Sequence, residues 1–138
     1  MKSAFVVWAD GTHAIFDFLR YSRWTSRTNG QTSSSIRGEY ELVRDTVGDN
    51  PIKKAVGTML MWSYPVDHEH SIGFNKFAST RQCARFYPHD NVFGTALFTG
   101  KQSQTGLIGT LSKTQISSLL TSLEMMNGIL GNPHIRRM

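Results

Sequence analysis

The clearest pattern of apolar and polar positions lies in the last third of the chain. After Ser112, apolar residues recur at steps of three and four and form one face of a helix: Ile116, Leu119, Leu120, Leu123, Met126, Ile129 and Leu130. Ser112 and Gln115 fit a capping box, in which each side chain accepts a backbone N–H of the other residue. Gly131 suits the left-handed position after a helix, and Pro133 blocks its continuation. We therefore predict a C-terminal helix, with its caps, over residues 112–131.

The chain from residue 1 to 101 shows mainly strand patterns instead. The Asp10-Gly11 pair separates two β-rich runs and predicts an N-terminal hairpin, because glycine tolerates the positive φ that tight turns need. Alternating or continuous apolar residues predict strands at 4–9, 12–19, 36–47, 52–64 and 92–99, and shorter ones at 72–78 and 82–87. Because strands come first and the helix last, we predict an α+β fold with an antiparallel sheet.

Length and composition support one folded unit. The chain has 138 residues, of which 39% are hydrophobic, so we treat residues 1–138 as a single domain with a real core. Its longest apolar runs fall far short of the roughly 20 residues that span a bilayer, so no membrane partner is expected. Cys83 is the only cysteine, which excludes an intrachain disulfide.

Residues that could carry chemistry occur without a supporting motif. His68 and His70, with His89 and Cys83 further along, are metal-ligand types, but they lack the fixed spacing of zinc sites. A polar, solvated loop explains the two neighbouring histidines equally simply. Nothing in the sequence places a histidine against Cys83 as a base, and the glycines match no nucleotide-binding loop. We therefore expect no catalytic residue, no metal site and no cofactor.

The charge balance points to a polyanionic partner. Fifteen Lys and Arg against ten Asp and Glu give a net charge of +5, which favours nucleic acid. Arg20, Arg23 and Arg27 are interleaved with Tyr21 and Trp24. Cations of this kind contact phosphates while exposed rings stack on unpaired bases. For any single residue the alternative is ordinary solvated charge, with the rings buried in the core.

The order of elements resembles a known family. The opening residues 3–16, with their hairpin, and the close, residues 111–116 and 130–135 around the helix, are similar to the two ends of the coat protein of single-stranded RNA bacteriophages (levivirus type). The antiparallel strands between them follow the same general order.

The resemblance implies a fold, a partner and a location. Two coat subunits share one continuous antiparallel sheet, and the helices of each lie across the strands of the other, so the chain would be dimer-forming. A second copy would then cover the helix face at Ile116, Leu119, Leu120, Leu123, Met126, Ile129 and Leu130. Dimers would assemble in the host cytoplasm into the icosahedral shell of the virion. The inner face of the sheet would bind the RNA genome, and our candidates there are Tyr40, Arg44, Lys53, Lys54, Lys76, Arg81 and Arg85.

Two other classes of protein remain open. The first is a small nucleic-acid-binding or host-interaction protein, a phage-encoded one included, that forms no shell; particle size separates it from a coat. The second is a small enzyme that uses His68, His70, His89 or Cys83, and alanine substitution of these residues tests it.

Overall fold

Five strands of one antiparallel sheet and three helices make up the part of the chain that the computed structural model describes. That part comprises residues 2–17, 36–65, 73–80 and 91–130, with the side chains of residues 36–40 and 127–130 left out. In chain order the elements are β1 (Ser3–Val7), β2 (His13–Asp17), α1 (Ile36–Val47), β3 (Ile52–Val56), β4 (Met59–Ser63), α2 (Lys76–Ser79), β5 (Ala96–Thr99) and α3 (Lys113–Leu130).

The sheet has the strand order β2-β1-β5-β4-β3, and every neighbouring pair is antiparallel. The predicted α+β class and the N-terminal hairpin are therefore confirmed. The hairpin closes through a three-residue loop, where the Trp8 N–H donates to the Thr12 carbonyl at 2.9 Å and the Gly11 N–H donates to the Trp8 carbonyl at 3.0 Å. Gly11 has a φ of +89°, which is the left-handed position that such loops require.

The single strand predicted over residues 52–64 is wrong, because the chain turns back in its middle. Val56 pairs with Met59 across a two-residue turn, which makes a β3–β4 hairpin. Gly57 has a φ of +60°, and no described non-glycine residue has a positive φ. Positive φ at only the first turn position is typical of a type II′ hairpin turn, so Gly57 is what allows the reversal.

The strand predicted over residues 36–47 is also wrong, since this segment is the helix α1. Leu42, Val43 and Val47 are buried, while Arg44 and Asp45 are exposed. In a strand, Leu42 and Arg44 would share one face, whereas this spacing places the apolar residues on one side of a helix. Burial against the sheet therefore overrode the apparent alternation along the sequence.

The sheet carries helices on both faces, so the described fold has three layers. On one face, α3 and α2 pack over a cluster of buried residues comprising Phe5, Val7, Val56, Met61, Phe77, Ala78, Val92, Ala96, Phe98, Leu111, Leu119 and Leu123. On the other face, α1 packs over Ala4, Val6, Leu42, Val43, Val47, Trp62, Leu97 and Ile108. The interior strand β1 contributes to both clusters, which explains its continuous apolar run from Ala4 to Val7.

The C-terminal helix begins and ends where its sequence predicts, at Lys113 and Leu130. The capping box is present: the Ser112 N–H donates to Gln115 Oε1 at 2.8 Å, and the Gln115 N–H donates to Ser112 Oγ at 3.1 Å. The proposed terminating residues, Gly131 and Pro133, lie outside the described residues.

The apolar face of α3 lies on the sheet of its own chain. Leu119 and Leu123 are each only 3% exposed, and Ile116, Leu120 and Met126 pack around the same cluster. The side chains of Ile129 and Leu130 are outside the described set. The chain itself therefore buries Leu119 and Leu123 and partly buries Ile116, Leu120 and Met126, while cover of this face by a second copy stays a prediction. Dimer formation stays a prediction from the family resemblance.

Asn75 joins α2 to the sheet and is a structural residue that the sequence did not reveal. It is 1% exposed. Its Nδ2 donates to the carbonyls of Val7 (3.0 Å) and Gly94 (2.9 Å), and its Oδ1 accepts the N–H of Ala78 (3.0 Å) at the start of α2. One amide thus satisfies three buried backbone groups in two different elements.

Candidate functional site

The predicted RNA-binding residues do not share one face of the sheet. Lys53 and Lys54 are consecutive in the edge strand β3, where Lys53 lies opposite Trp62 and Lys54 opposite Met61. Trp62 belongs to the cluster under α1 and Met61 to the cluster under α3. Because side chains alternate along a strand, the two lysines point to opposite faces. The assumption that both lie on one inward face is wrong, while their role in RNA binding stays a prediction.

The other candidates also differ from their predicted positions. Arg44 and Tyr40 lie on α1 and not on a strand. Arg44 is exposed and forms a salt bridge with Glu41, and its Nε is 3.9 Å from Asp49 Oδ1. Lys76 is exposed at the first position of α2, so the short strand predicted over residues 72–78 is wrong from residue 76 onward. The side chain of Tyr40, and Arg81 and Arg85 altogether, lie outside the described residues.

Lys53 is a cation held over an aromatic ring. Its Nζ lies 5.5 Å from the centre of the Trp62 ring and donates to Gln102 Oε1 at 2.8 Å. The Trp62 Nε1 in turn donates to Thr99 Oγ1 at 2.8 Å. A lysine on an edge strand also discourages pairing with another chain. Neighbouring residues of the protein therefore account for the position of the Lys53 side chain without a bound ligand.

Positive charge is distributed unevenly along the sequence. The described ranges contain eight Lys or Arg and seven Asp or Glu, whereas the remaining segments contain seven Arg and three Asp or Glu. Four of the five net positive charges therefore fall outside the described ranges, and the cations there are all arginines. The described scaffold is close to neutral.

A cleft lies between α1 and one end of the sheet, and we call it the α1 cleft. It has a volume of about 510 Å³ and is lined by Trp8, Phe16, Leu42, Asp45, Thr46, Tyr64 and Thr95. A neighbouring depression of about 360 Å³ shares three of these residues and adds Ala9, Asp10 and Gly94. A volume of this order suits a small organic group.

The α1 cleft combines aromatic rings with acidic and hydroxyl groups. Trp8 is 36% exposed, a large fraction for a tryptophan next to the core. Thr46 Oγ1 donates to the Leu42 carbonyl at 2.6 Å, and Asp45 and Tyr64 each have a further interaction within the protein. None of the described residues that line the cleft or its neighbouring depression is Lys or Arg. The described part of the lining therefore offers hydrogen-bond acceptors beside aromatic surface.

Asp10, at the rim, is held in its charged form by the hairpin. Thr12 donates to Asp10 Oδ1 through its hydroxyl at 2.6 Å and through its N–H at 3.0 Å. These two hydrogen bonds lower the pKa of Asp10 below its ordinary value of 3.8. The rim is therefore negatively charged across the physiological pH range.

Sequence reasoning missed the α1 cleft because its residues come from β2, α1 and the ends of three other strands. Asp45 and Thr46 were assigned to a strand, and Trp8 was treated as part of a hairpin strand and not as its exposed end. The one local signal was a large aromatic residue two positions before an Asp-Gly turn, at the end of a predicted strand.

The described ranges contain no candidate metal site and no candidate membrane-spanning helix. No group of three or more His, Cys, Asp or Glu side chains there is arranged to hold a metal ion. His68, His70, Cys83 and His89 lie outside those ranges. No helix among the described residues has the length and apolarity needed to cross a bilayer.

A scan against protein-family models, a search of curated proteins and a search of solved structures each found no match to this chain. The similarity to the RNA-phage coat family therefore rests on the sequence pattern alone.

Proposed function

We propose that the protein binds single-stranded nucleic acid, RNA foremost, as an independently folded unit and not as the subunit of a shell. The observation that carries this proposal is the position of positive charge. The chain carries a net charge of +5, and Arg20, Arg23 and Arg27 are interleaved along the sequence with Tyr21 and Trp24.

Arginine next to aromatic residues suits single-stranded nucleic acid. Guanidinium groups bind phosphate through paired hydrogen bonds, which ammonium groups do not reproduce. Aromatic rings stack on unpaired bases without strong sequence preference. The segment with Arg20, Tyr21, Arg23, Trp24 and Arg27 offers both within eight residues.

The arrangement of the helices favours a free unit over a shell. The coat resemblance implies helices that cross a partner's sheet and a sheet face left open to RNA. In this chain α3 packs on its own sheet and α1 packs on the opposite face. Each of the two faces thus already supports a helix of the same molecule, which supports the alternative without a shell.

Salt-dependent binding to a labelled single-stranded RNA tests the proposal. We expect the logarithm of the association constant to fall linearly with the logarithm of salt concentration. The triple variant Arg20→Gln/Arg23→Gln/Arg27→Gln removes three phosphate contacts and should reduce the slope by about 2. The matched control removes three lysines that are not RNA-binding candidates, Lys2→Gln/Lys101→Gln/Lys113→Gln, and should change the slope by less than 1.

Two outcomes would contradict the proposal. The first is an absence of RNA binding even at low salt, and the second is an equal loss of slope in both triple variants. Particle size separates the proposal from a coat protein. Megadalton particles that contain nuclease-protected RNA would favour the coat, whereas we expect species of one or two chain masses.

A further inference from the structure

Two exposed aromatic side chains lie at the same end of the sheet. Trp8 is 36% exposed and Phe74 is 43% exposed, although each directly neighbours a buried residue in the sequence. The other exposed large hydrophobic side chains of the described ranges are not aromatic; they are Ile15, Leu107 and Met125. Single exposed hydrophobic residues are ordinary on a protein surface, whereas two rings on adjoining segments indicate an interaction site.

The backbone segments that carry the two rings are in direct contact. Asn75 Nδ2, one residue after Phe74, donates to the carbonyl of Val7 at the end of β1, at 3.0 Å. One residue before Phe74, a Cβ added to Gly73 would lie 3.7 Å from the Ala9 Cβ. Consecutive Cα atoms are about 3.8 Å apart, so the backbone positions of the two rings are at most about 15 Å apart. A short single strand of nucleic acid can reach both rings.

Hydrogen bonds and ring contacts fix the backbone at both positions. The Trp8 N–H donates to the Thr12 carbonyl at 2.9 Å, and the Trp8 carbonyl accepts the Gly11 N–H at 3.0 Å. Phe74 forms a β-bridge with Phe93, and their rings meet edge to face with centroids 5.8 Å apart. Rings that are held in place before binding lose little conformational freedom when a ligand stacks on them.

An unpaired nucleobase is the occupant that suits these rings in a chain of this charge. The net charge of +5 favours a polyanionic partner. Stacking uses the faces of the bases, so a ring can hold a base while cations elsewhere in the protein contact the phosphates of the same strand. The rings and the arginines therefore contact different parts of one ligand.

We propose that Trp8 and Phe74 form a stacking platform for unpaired bases of one nucleic-acid strand. This inference deepens the proposed nucleic-acid binding and rests on that function for the phosphate contacts. Every base has a π-face, so the platform should raise the affinity for single strands without selecting a sequence.

Two labelled strands separate stacking from phosphate contacts: a short oligoadenylate, and an abasic strand with the same sugar-phosphate backbone. Trp8→Leu and Phe74→Leu each remove a ring and keep an apolar side chain. Each should weaken oligoadenylate binding by about fivefold or more and leave binding of the abasic strand unchanged. The dependence of the association constant on salt should also stay the same, because no phosphate contact is lost.

Three controls accompany the two leucine variants. Trp8→Phe and Phe74→Tyr keep a ring and should retain most of the affinity for oligoadenylate. Met125→Ala truncates a side chain on α3 that is 52% exposed and not aromatic, so it should leave binding of both strands unchanged. Thermal unfolding shows which variants are folded.

Photocrosslinking tests the platform without any variant. The unmodified full-length protein is irradiated with an RNA that carries 5-iodouridine, and the adducts are located by mass spectrometry. We expect adducts at Trp8 and at Phe74. This measurement decides the question if neither leucine variant folds.

Several results would overturn the inference. These are unchanged oligoadenylate binding in folded Trp8→Leu or Phe74→Leu, an equal loss in Met125→Ala, or the absence of adducts at both rings. Ring variants that change the oligomeric state but not the RNA affinity would identify a protein-contact surface instead.

The same measurements separate this inference from the proposed function. RNA binding that weakens in the arginine triple variant but not in the ring variants would refute only the platform. Binding that depends on the rings but keeps its full salt slope in the arginine triple variant would refute only the proposed arginine contacts. A complete absence of RNA binding would refute both.

Discussion

Replacing Leu123 by alanine measures how much the packing of α3 on its own sheet stabilises the chain. Leu123 is 3% exposed and lies in the cluster that joins α3 to β1 and β5. The substitution removes three methylene-sized groups, which at about 0.8 kcal/mol each gives about 2.4 kcal/mol. The cavity left behind adds to this, so we expect a loss of about 3–4 kcal/mol in the free energy of unfolding.

Met125→Ala on the same helix is the matched control. Met125 is 52% exposed, so its truncation should change the free energy of unfolding by less than about 0.5 kcal/mol. Alanine is the best helix former, so neither variant should weaken α3 through helix propensity.

Urea unfolding shows whether α3 is covered by its own sheet or by a second copy of the chain. The unfolding is followed by circular dichroism at two protein concentrations about a hundredfold apart. If α3 packs within its own chain, the midpoint should not depend on concentration. An obligate dimer would gain about 2.7 kcal/mol of apparent stability at the higher concentration. A concentration-dependent midpoint, or equal losses for Leu123→Ala and Met125→Ala, would refute the reasoning.

Three further changes test local features of the fold. Asn75→Ala should lower the free energy of unfolding by about 2–4 kcal/mol in chemical denaturation, because three buried backbone groups lose their partner; a loss below about 1 kcal/mol would show that those groups find other partners. Ser112→Ala should cost about 1 kcal/mol through the lost cap, whereas Ser117→Ala, exposed within α3, should cost almost nothing. The low pKa of Asp10 means that its hydrogen bonds stabilise the hairpin at neutral pH and are lost as pH falls below 3.8 through the folded value. Thr12→Val should therefore move the Asp10 pKa, measured by NMR titration, upward toward 3.8, and an unchanged pKa would contradict this cause.

The features that could be predicted from sequence are those encoded locally. The capping box at Ser112, the periodic apolar face of α3 and the Asp10-Gly11 turn each depend on residues a few positions apart. Their structures follow from hydrogen bonds and φ preferences that act within one or two turns. All three were correct because no distant contact competes with them.

The errors arose where distant contacts decide the structure. Residues 36–47 mix charged and apolar residues so that alternation and helical spacing overlap, and only burial of Leu42, Val43 and Val47 on the sheet selects the helix. The β3–β4 reversal depends on Gly57 followed by a threonine, which is a weaker turn signal than Asp-Gly. Tertiary packing outweighed the local pattern in both places.

Two further features could not be predicted from the sequence for a related reason. One is what covers the apolar face of α3, and the other is the α1 cleft. An apolar helix face must be covered, but its sequence is the same whether the cover is its own sheet or another chain. The cleft needs the ends of β1, β4 and β5 to meet beneath α1, which depends on strand order and register. Neither quantity is encoded in any short segment.

The central claim is that one chain covers both faces of its own sheet. Sedimentation equilibrium tests this claim most directly, with the nuclease-treated protein measured over a wide concentration range. We expect a folded species at the chain mass of 15.5 kDa, with the helical circular dichroism signal retained at the lowest concentration. Loss of that signal on dilution, or the presence of only particles larger than two chain masses at every concentration, would contradict the account.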